Sequence, residues 1–553
     1  MPIQGQMMNA PLLISSLLTH SERYHGDTEI VSRTVEGASA DNGGSIKKGI
    51  HRYNYAASAK RSRQLAKALL KLGIQSGDRV ATLAWNGYRH FELYFGVSGI
   101  GAVIHTVNPR LFPEQIAWIV QDADDQVMFF DLTFAPVIEK MAAQCKTIKH
   151  WVAMTDRAQM PKIDVPNLLC YEELIAAEDD AYEWPEFDEN AACALCYTSG
   201  TTGNPKGALY SHRSMMLHTF SVCLPDVFGV SARDCVLPVV PMFHVNAWAV
   251  PYVVTMVGAK LVLPGAALDG ASLHELFESE GVTMSAGVPT VWQGLLQHLQ
   301  ANKLKLSTLR RCVIGGAACP PALMQAFERD YNTKIHHAWG MTEMSPLGTF
   351  NTLKNKHLAL SKEDQLKIEV KQGRPAFGVQ MKIVDADGKA LPHDGKAFGD
   401  LLVKGHWVIS SYFKVDKNPL VDGWFPTGDV GTIDPDGYLQ ITDRSKDVIK
   451  SGGEWIGSID LENIAAAHPA LAMAAVIGVF HPKWDERPLL VAVKKPGADV
   501  TKEELLALYP GKVAKWWIPD DVLFVESIPL TATGKMSKLQ LREQIKGYQL
   551  PGT

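Results

Sequence analysis

The densest group of chemically useful residues lies at positions 197–207, which read Tyr-Thr-Ser-Gly-Thr-Thr-Gly-Asn-Pro-Lys-Gly. Three glycines allow the positive-φ turns that let main-chain N–H groups point at phosphate oxygens, and four Ser/Thr hydroxyls and a lysine add donors. It is not a Walker A loop, because Lys206 stands between Pro205 and Gly207. The pattern predicts a phosphate-binding loop, delivered by a strand over the apolar residues 193–196.

Together with this loop, five further stretches resemble the adenylate-forming superfamily, which includes acyl-CoA synthetases, peptide-synthetase adenylation domains and firefly luciferase. They lie at residues 241–248, 339–343, 424–429, 443–455 and 533–535, in the order that the superfamily has them. The resemblance covers nearly the whole chain, and the sequence is similar to bacterial medium- and long-chain fatty-acid–CoA ligases and to methylthiopropionate–CoA ligases. It implies an AMP-forming acid–CoA ligase that uses ATP, Mg²⁺ and CoA.

The implied reaction has two halves because a carboxylate is a poor acylating agent. Joining the acid to AMP supplies a good leaving group, and the CoA thiol then displaces AMP to give acyl-CoA. In the first half the carboxylate must attack an anionic α-phosphate. Catalysis there is therefore mostly charge neutralisation and alignment.

The resemblance assigns the triphosphate to the loop and to the stretch Trp-Gly-Met-Thr-Glu at residues 339–343. Glu343 would bind Mg²⁺ together with Thr198, since a hard cation prefers oxygen ligands, and Thr342 would contact the α-phosphate. Lys535 matches the catalytic lysine that bridges the carboxylate and the α-phosphate. The loop residues expected to hold the phosphates are Thr198, Ser199, Gly200, Thr201, Thr202, Gly203 and Lys206.

The nucleoside is assigned to a glycine turn and an acidic residue. At Gly315, Gly316 and Ala317 a flat ring can pass close to the main chain, and the superfamily places adenine there against the aromatic residue at Trp339. Asp429 is the expected acceptor of the ribose hydroxyls. The further residues expected near the nucleotide are Arg444, Lys446, Lys450 and Trp455.

The second half-reaction is assigned to residues 446–455, where a glycine-rich strand would line the tunnel for pantetheine because the backbone must approach a narrow ligand. The CoA contacts expected there are Lys450, Gly452, Gly453 and Glu454. This segment and Lys535 occupy different positions of one small domain, so that domain is expected to rotate about Asp443 between the half-reactions. Close relatives usually have Ser where this chain has Gly457, which leaves the detail of CoA docking open.

By the same resemblance the acyl group occupies a mainly apolar pocket. Such a lining argues against amino acids and dicarboxylates, which would need a buried partner for the extra charge. His244 is expected beside the acyl carboxylate and the thiol entrance, although a packed core histidine is the alternative. The expected pocket residues are Val245, Trp248, Val288, Gly315 and Met341. Chain length stays open, because the tryptophans could shorten the tunnel or act as movable gates.

From residue 50 onward helical and strand patterns alternate, which favours an α/β fold. Helices are predicted at residues 60–72, 91–100, 113–121, 247–256, 272–278, 291–300, 321–329 and 459–466. Strands are predicted at residues 79–84, 102–107, 127–132, 236–240, 260–263, 283–287, 312–315, 334–337 and 474–478. We expect a large N-terminal domain of mixed sheets with flanking helices and a β-rich subdomain at residues 1–442, and a small, mobile α+β lid domain at 443–553.

The composition is that of an ordinary globular protein, with 46% apolar and 20% charged residues among 553. A net charge of −5 gives no basic footprint for nucleic acid or anionic membrane. The first residues lack a signal sequence and no long apolar run follows, so a cytoplasmic location is expected. The eight cysteines are expected to be buried and unpaired, and residues 37–49 to form a mobile surface loop. Relatives are often dimers, so a homodimer is expected.

Two rival activities share the adenylation step. An enzyme of this fold could pass the acyl group to a carrier protein, or, like luciferase, let it react with O₂. A non-catalytic nucleotide-binding module is disfavoured because Lys206, Glu343, Asp429 and Lys535 are all present.

Overall fold

The computed structural model describes residues 3–36, 46–47, 49–198, 205–451, 454–531 and 536–551, and gives only the main chain at 46–47 and 454–455. The helices in these ranges are α1 (Ser15–His25), α2 (Tyr55–Lys71), α3 (Tyr88–Gly99), α4 (Pro113–Ala123), α5 (Ala135–Met141), α6 (Tyr171–Ala176), α7 (His212–Val222), α8 (Val245–Trp248), α9 (Val250–Val257), α10 (Gly270–Glu280), α11 (Pro289–Ala301), α12 (Pro321–Tyr331), α13 (Lys362–Glu369), α14 (Ser458–Ala466), α15 (Lys502–Leu506) and α16 (Lys538–Gln544).

The strands in the same ranges are β1 (Glu29–Arg33), β2 (Ile46–Lys47), β3 (Ile50–Asn54), β4 (Arg79–Leu83), β5 (Val103–Thr106), β6 (Asp125–Phe130), β7 (His150–Ala153), β8 (Leu168–Cys170), β9 (Ala192–Tyr197), β10 (Gly207–Ser211), β11 (Cys235–Pro238), β12 (Lys260–Leu263), β13 (Met284–Gly287), β14 (Arg311–Ile314), β15 (Lys334–Gly340), β16 (Leu347–Phe350), β17 (Arg374–Pro375), β18 (Val379–Val384), β19 (Phe398–Gly405), β20 (Phe425–Ile433), β21 (Leu439–Arg444), β22 (Ile449–Ser451), β23 (Glu454–Ile456), β24 (Leu471–His481), β25 (Asp485–Lys494) and β26 (Asp521–Phe524).

The largest sheet has the strand order β17-β16-β15-β14-β13-β11-β12-β1-β3-β2. Its strands from β15 through β14, β13, β11 and β12 to β1 are all parallel. The carboxyl ends of these strands therefore meet at one edge, which is where open α/β sheets bind ligands.

A second sheet has the order β10-β9-β5-β4-β6-β7-β8 and is parallel except for the hairpin between β9 and β10. Helix α3 contacts β1 of the first sheet and β5 of the second. Every residue of α3 is buried, as expected of a helix covered on all sides.

A third, antiparallel sheet joins β18 to β21 in sequence order, and β20 and β21 form a hairpin around the Asp-Pro-Asp-Gly turn at residues 434–437. The sheet after residue 448 has the order β23-β22-β25-β24, with β26 pairing to β25. The predicted fold class, mixed α/β sheets with a small C-terminal α+β part, is confirmed.

Most predicted elements lie within a few residues of the observed ones because their local signals agree with the packing. Helix α2, for example, begins after Asn54, whose side chain accepts the N–H of Ala57, and it buries Leu65 and Leu69 on one face. Of the predicted surface loop at 37–49, residues 37–45 and 48 lie outside the described part of the chain.

The helix predicted at 247–256 is wrong at its start. Val245, Asn246, Ala247, Trp248 and Ala249 all have positive φ, between 45° and 64°, so α8 is a left-handed turn and the right-handed helix α9 begins at Val250. Left-handed backbone costs about 1–2 kcal/mol for each L-residue. The surrounding packing must offset that cost, and Asn246 within the turn is fully buried.

The C-terminal part has its own apolar core. Two buried clusters consist only of residues between Ile449 and Leu550, including Leu461, Val476 and Leu490. The expected boundary at residue 443 falls inside β21, and the division into two domains stays a prediction. No helix in the described ranges is long and apolar enough to cross a membrane.

Candidate active site

A cavity of about 570 Å³ opens where the parallel strands of the first sheet end. Its walls come from the residues that follow β11, β13, β14 and β15, and from the end of β9 in the second sheet. The predicted site residues found on these walls are Thr198, Lys206, His244, Val245, Trp248, Val288, Gly315, Gly316, Trp339, Met341, Thr342, Glu343, Arg444 and Lys446. The fold thus brings together stretches that are far apart in sequence.

The phosphate loop begins and ends on the hairpin of β9 and β10. The Thr198 N–H donates to the Lys206 carbonyl oxygen at 2.9 Å, and the Lys206 N–H donates to Thr198 Oγ1 at 3.3 Å. These bonds hold the two ends of the loop together at the cavity wall. The predicted residues Ser199, Gly200, Thr201, Thr202 and Gly203 lie outside the described part of the chain.

Glu343 follows the end of β15 in a short 3-10 turn, and the residue is buried at 8% exposure. The Tyr412 hydroxyl donates to Glu343 Oε1 at 2.7 Å, and the Ile409 N–H donates to the Glu343 carbonyl oxygen at 2.9 Å. The preceding residue is fixed by Tyr210, whose hydroxyl donates to the Thr342 carbonyl oxygen at 2.6 Å. Glu343 is therefore a buried, hydrogen-bonded residue rather than a solvated surface carboxylate.

The oxygen atoms at this end of the cavity fit Mg²⁺. Glu343 offers a carboxylate and Thr198 a hydroxyl on the same cavity. Mg²⁺ is usually bound by one or two carboxylates, substrate phosphates and water rather than by a full protein cage. Accordingly, no group of three or more His, Cys, Asp or Glu side chains that could hold a metal occurs in the described ranges.

The expected ribose acceptor, Asp429, is buried at 3% exposure behind the cavity wall. Its carboxylate accepts the indole N–H of Trp339 at 2.8 Å and the Nε–H of Arg444 at 2.8 Å. The sequence did not indicate the bond to Trp339, because the two residues are separated by 90 positions. The indole thus orients the carboxylate as well as offering its ring to the cavity.

The glycine turn after β14 lies close to the Trp248 ring and to the main chain of β15. A Cβ added to Gly315 would lie 3.1 Å from the Trp248 ring and 3.1 Å from the Ala338 carbonyl oxygen, and Gly316 has a φ of +83°. Side chains at both positions would therefore be strained or would fill the cavity. Ala317, the third residue predicted there, is not on the cavity wall.

One part of the cavity is lined by apolar side chains, several of which no sequence pattern had marked. They project from separate elements, so only the folded chain makes them neighbours. The residues not predicted are Phe228, Val239, Val240, Leu268 and Val291. A chain of methylene, methyl or thioether groups suits this lining. The arrangement can therefore hold a phosphate-rich group, a flat ring and an apolar tail together.

The C-terminal part closes the cavity with residues on both sides of the predicted catalytic lysine. Lys535 itself lies outside the described residues, but Thr531 and Met536 line the cavity. Lys450 does not: it is exposed on β22, and its N–H donates to Glu486 at 2.9 Å. Gly452 and Gly453 lie outside the described part of the chain, and the side chains of Glu454 and Trp455 are likewise not described.

The predicted hinge residue, Asp443, is buried at 1% exposure. Its carboxylate accepts the Ser458 N–H at 2.8 Å, which ties the start of α14 to β21. Lys538 pairs with Glu462 at 2.8 Å and lies 4.0 Å from Asp443. Burial lowers the pKa of Lys538, but the Glu462 and Asp443 carboxylates outweigh it and raise that pKa above its ordinary value. Gly457 packs against Thr442, where a Cβ would lie 3.0 Å from the carbonyl oxygen.

All eight cysteines are free, and seven of them are buried, as predicted. Burial raises the pKa of Cys196 to about 11, so this thiol stays protonated near neutral pH. Cys193 and Cys196 therefore belong to the core rather than to a redox or zinc site.

Comparison with known proteins agrees with this architecture. The AMP-binding enzyme family matches residues 21–413 and its C-terminal domain matches residues 460–535. The 3-methylmercaptopropionyl-CoA ligase of Ruegeria lacuscaerulensis is 56% identical over 543 residues, covering 98% of this chain and 99% of the relative. The medium-chain-fatty-acid–CoA ligase of Ectopseudomonas oleovorans is 51% identical over 541 residues, covering 98% and 97%.

Among solved structures, the anthranilate CoA ligase AuaEII in complex with anthranoyl-AMP superposes with a TM-score of 0.85. The match covers 97% of this chain and 98% of that one at 24% identity, so it supports the fold alone. The family matches, the relatives and the position of the cavity lead to one conclusion. The chain belongs to the AMP-binding enzyme family.

Proposed function

We propose that this protein is an AMP-forming acid–CoA ligase. A carboxylic acid and ATP give an acyl-adenylate and pyrophosphate, and CoA then gives the acyl-CoA and AMP. The single observation that carries the proposal is the cavity at the strand ends. It joins the phosphate-loop residues Thr198 and Lys206, the buried Glu343 and the glycine turn at Gly315. It also includes the part lined by apolar side chains such as Val288 and Val291, here named the apolar arm.

In the first half-reaction the phosphate end neutralises charge. Lys206 and the loop hydroxyls would bind the β- and γ-phosphates, and Thr342 the α-phosphate. Glu343 and Thr198 would hold Mg²⁺, which when bound neutralises negative charge on the phosphates. Lys535 would lie between the acid and the α-phosphate, and Asp429 would accept the ribose hydroxyls.

The acid is an apolar monocarboxylic acid, either a fatty acid or a short or medium branched, hydroxy or methylthio acid. The side chains of Val288, Val291 and Leu268 on the cavity wall are apolar and cannot pair a second charge on the substrate. The relatives named for a methylthio acid and for medium-chain fatty acids support this choice. His244 would stand beside the acyl carboxylate, and Trp248 at the entrance to the apolar arm.

In the second half-reaction the C-terminal part, residues 443–553, would rotate about Asp443 to bring residues 450–454 to the acyl-adenylate. The wall described here contains Thr531 and Met536 but not Lys450. That arrangement supports an adenylation conformation in which Lys450 lies off the cavity. We further propose that the protein is cytoplasmic and that it forms a homodimer. Light scattering of the purified chain tests the dimer.

The test of the activity is CoA-dependent AMP release over straight-chain, branched, hydroxy, methylthio and aromatic acids, with Lys535→Ala alongside. We expect the native protein to turn over some of these acids and not others, and we expect the Lys535→Ala variant to lose that turnover. Pyrophosphate release without any thioester would mean that the acyl group goes to another acceptor, such as a carrier protein. An oxygen-dependent product would favour a luciferase-type reaction, and no ATP–pyrophosphate exchange with any acid would exclude adenylation.

Replacing Asp443 by proline is expected to slow one half-reaction more than ten times as much as the other, because proline locks one backbone torsion at the proposed hinge. Pyrophosphate exchange measures the first half, and thioester formation from preformed acyl-adenylate measures the second. Asp443→Ala is the matched control, since it also loses the carboxylate bonded to Ser458 but leaves the torsion free. Equal slowing of both halves in Asp443→Pro would count against rotation about this residue.

A further inference from the structure

Residues 407–414, here named the bridging segment, connect the phosphate loop with the turn that carries Glu343. At one end the Ile409 N–H donates to the Glu343 carbonyl oxygen at 2.9 Å. At the other, the Phe413 N–H donates to the Gly207 carbonyl oxygen at 2.9 Å. The segment is therefore fixed by main-chain bonds to both elements that are expected to hold the triphosphate.

Tyr412 lies between these two attachments and uses both parts of its side chain. Its hydroxyl donates to Glu343 Oε1 at 2.7 Å, and Lys206 Nζ lies 5.0 Å from the centroid of its ring. Tyr412 also lines the cavity with Lys206 and Glu343. One side chain thus contacts the carboxylate through a hydrogen bond and the ammonium group through its π face.

The donor direction of this hydrogen bond is settled by charge. An ionised carboxylate can only accept hydrogen bonds, so the Tyr412 phenol is the donor. Within the described part of the chain, Glu343 Oε2 accepts no hydrogen bond. The phenol therefore occupies one carboxylate oxygen and leaves the other available.

A purely structural role would need only the ring. Tyr412 packs edge-on against Phe425, with ring centroids 6.4 Å apart, and a phenylalanine would keep that contact. Packing alone does not explain the other two contacts of Tyr412. Its hydroxyl contacts the Glu343 carboxylate, and its ring face contacts the Lys206 ammonium group.

We propose that Tyr412 is a positioning residue of the adenylation site. It fixes the rotamer of Glu343 so that the free oxygen can hold the cation of Mg²⁺ATP, and its ring face keeps the Lys206 ammonium group beside the phosphates. The proposal rests on the proposed function, because it assumes that the cavity binds ATP.

Calorimetric titration of ATP into the full chain, without any acid or CoA, separates the two roles. Tyr412→Phe removes only the hydroxyl, so it should weaken ATP binding in Mg²⁺ by about tenfold. In EDTA the same variant should bind ATP within twofold of the native protein, because Glu343 then has no cation to hold. Tyr412→Leu also removes the ring and should weaken binding in EDTA by about two- to fivefold.

Two controls make the result specific. Tyr438→Phe removes another partly buried hydroxyl, which donates to the Thr352 carbonyl oxygen at 2.7 Å away from the cavity, and should bind ATP normally. In a Glu343→Gln background, Tyr412→Phe should have no further effect on binding in Mg²⁺, since the two residues act through one contact.

The outcomes are distinguishable. The positioning role would be overturned if Tyr412→Phe bound ATP in Mg²⁺ within twofold of the native protein. It would also be overturned if the variant weakened ATP binding equally in Mg²⁺ and in EDTA. Either result would leave the ligase function standing. If the native chain itself bound no ATP, the proposed function and this inference would both fall.

Discussion

Replacing Glu343 by glutamine is expected to slow acyl-adenylate formation by about 10²–10³-fold, the loss found when one preorganised electrostatic group is removed from an active site. Glutamine keeps the shape and can still accept the Tyr412 hydroxyl, but it removes the negative charge. Glu343 is 8% exposed and lines the cavity together with Thr198 and Lys206. The other described carboxylate on the cavity wall, Asp447, already pairs with Arg542 at 2.7 Å, so we do not expect it to replace Glu343. ATP–pyrophosphate exchange at saturating acid measures the effect.

A titration of Mg²⁺ in the same assay should show that the variant needs more metal for half-maximal exchange. Glu369→Gln is the matched control, because Glu369 is also buried and pairs with Lys334 at 2.6 Å, away from the cavity. It should change thermal stability without changing the metal requirement. A loss of less than tenfold in Glu343→Gln would argue against Glu343 as the carboxylate of the adenylation site.

The second large effect is on stability in acid. His212 and His218 are fully buried, and burial lowers their pKa values to about 4 and about 3. Each uses one ring nitrogen to accept a main-chain N–H, from Ile14 at 3.2 Å and from Leu347 at 3.2 Å respectively. The other ring nitrogen of each has no hydrogen-bond partner in the described ranges. Protonation would place N–H against N–H and leave the new charge unpaired.

The sign of the pH dependence follows from these lowered values. An unfolded histidine binds a proton below about pH 6.5, whereas the folded one stays neutral, so stability is complete above pH 6.5 and is lost as the pH falls. Between pH 8 and pH 5 each histidine should lower the free energy of unfolding by about 2 kcal/mol. Asp131 acts in the opposite direction, because burial raises its pKa to about 7. The whole-protein curve therefore mixes both signs.

Variants isolate the histidine contribution. Asn at 212 and Gln at 218 place a neutral acceptor near the ring nitrogen that each replaces. Urea unfolding at pH 8 and pH 5 should show a pH difference about 2 kcal/mol smaller in either His212→Asn or His218→Gln, and about 4 kcal/mol smaller in the double variant. His393→Gln, at an exposed position, is the control and should leave the difference unchanged. Curves that stay parallel to the native one would contradict the prediction.

Several residues of the candidate site could be identified from the sequence because each belongs to a short contiguous pattern. Thr198 and Lys206 end a glycine-rich stretch whose residue types and spacing indicate phosphate binding without any knowledge of the fold. Glu343 closes a five-residue stretch whose resemblance to the superfamily implies cation binding. The same holds for strands such as β12 and helices such as α12, whose apolar spacing is a local property.

Other features depend on contacts between distant parts of the chain. Tyr412 reaches Glu343 across 69 positions, and Trp339 reaches Asp429 across 90, so no local pattern could pair them. The left-handed turn at Val245 also had no signal. Apart from Asn246, its residues have no special preference for positive φ, and only tertiary packing can make such a strained backbone the stable one.

The sequence by itself determined the α/β alternation and the phosphate-loop pattern, and its resemblance to the adenylate-forming superfamily predicted the class of chemistry and the stretches that would carry nucleoside and thiol. The tertiary structure decided which of these stretches share one cavity, which carboxylates are buried, and how Glu343 is held. The physical reason is that periodicity and residue type report local free energies. Burial, charge pairing and backbone strain are set by neighbours that the chain meets only when it folds.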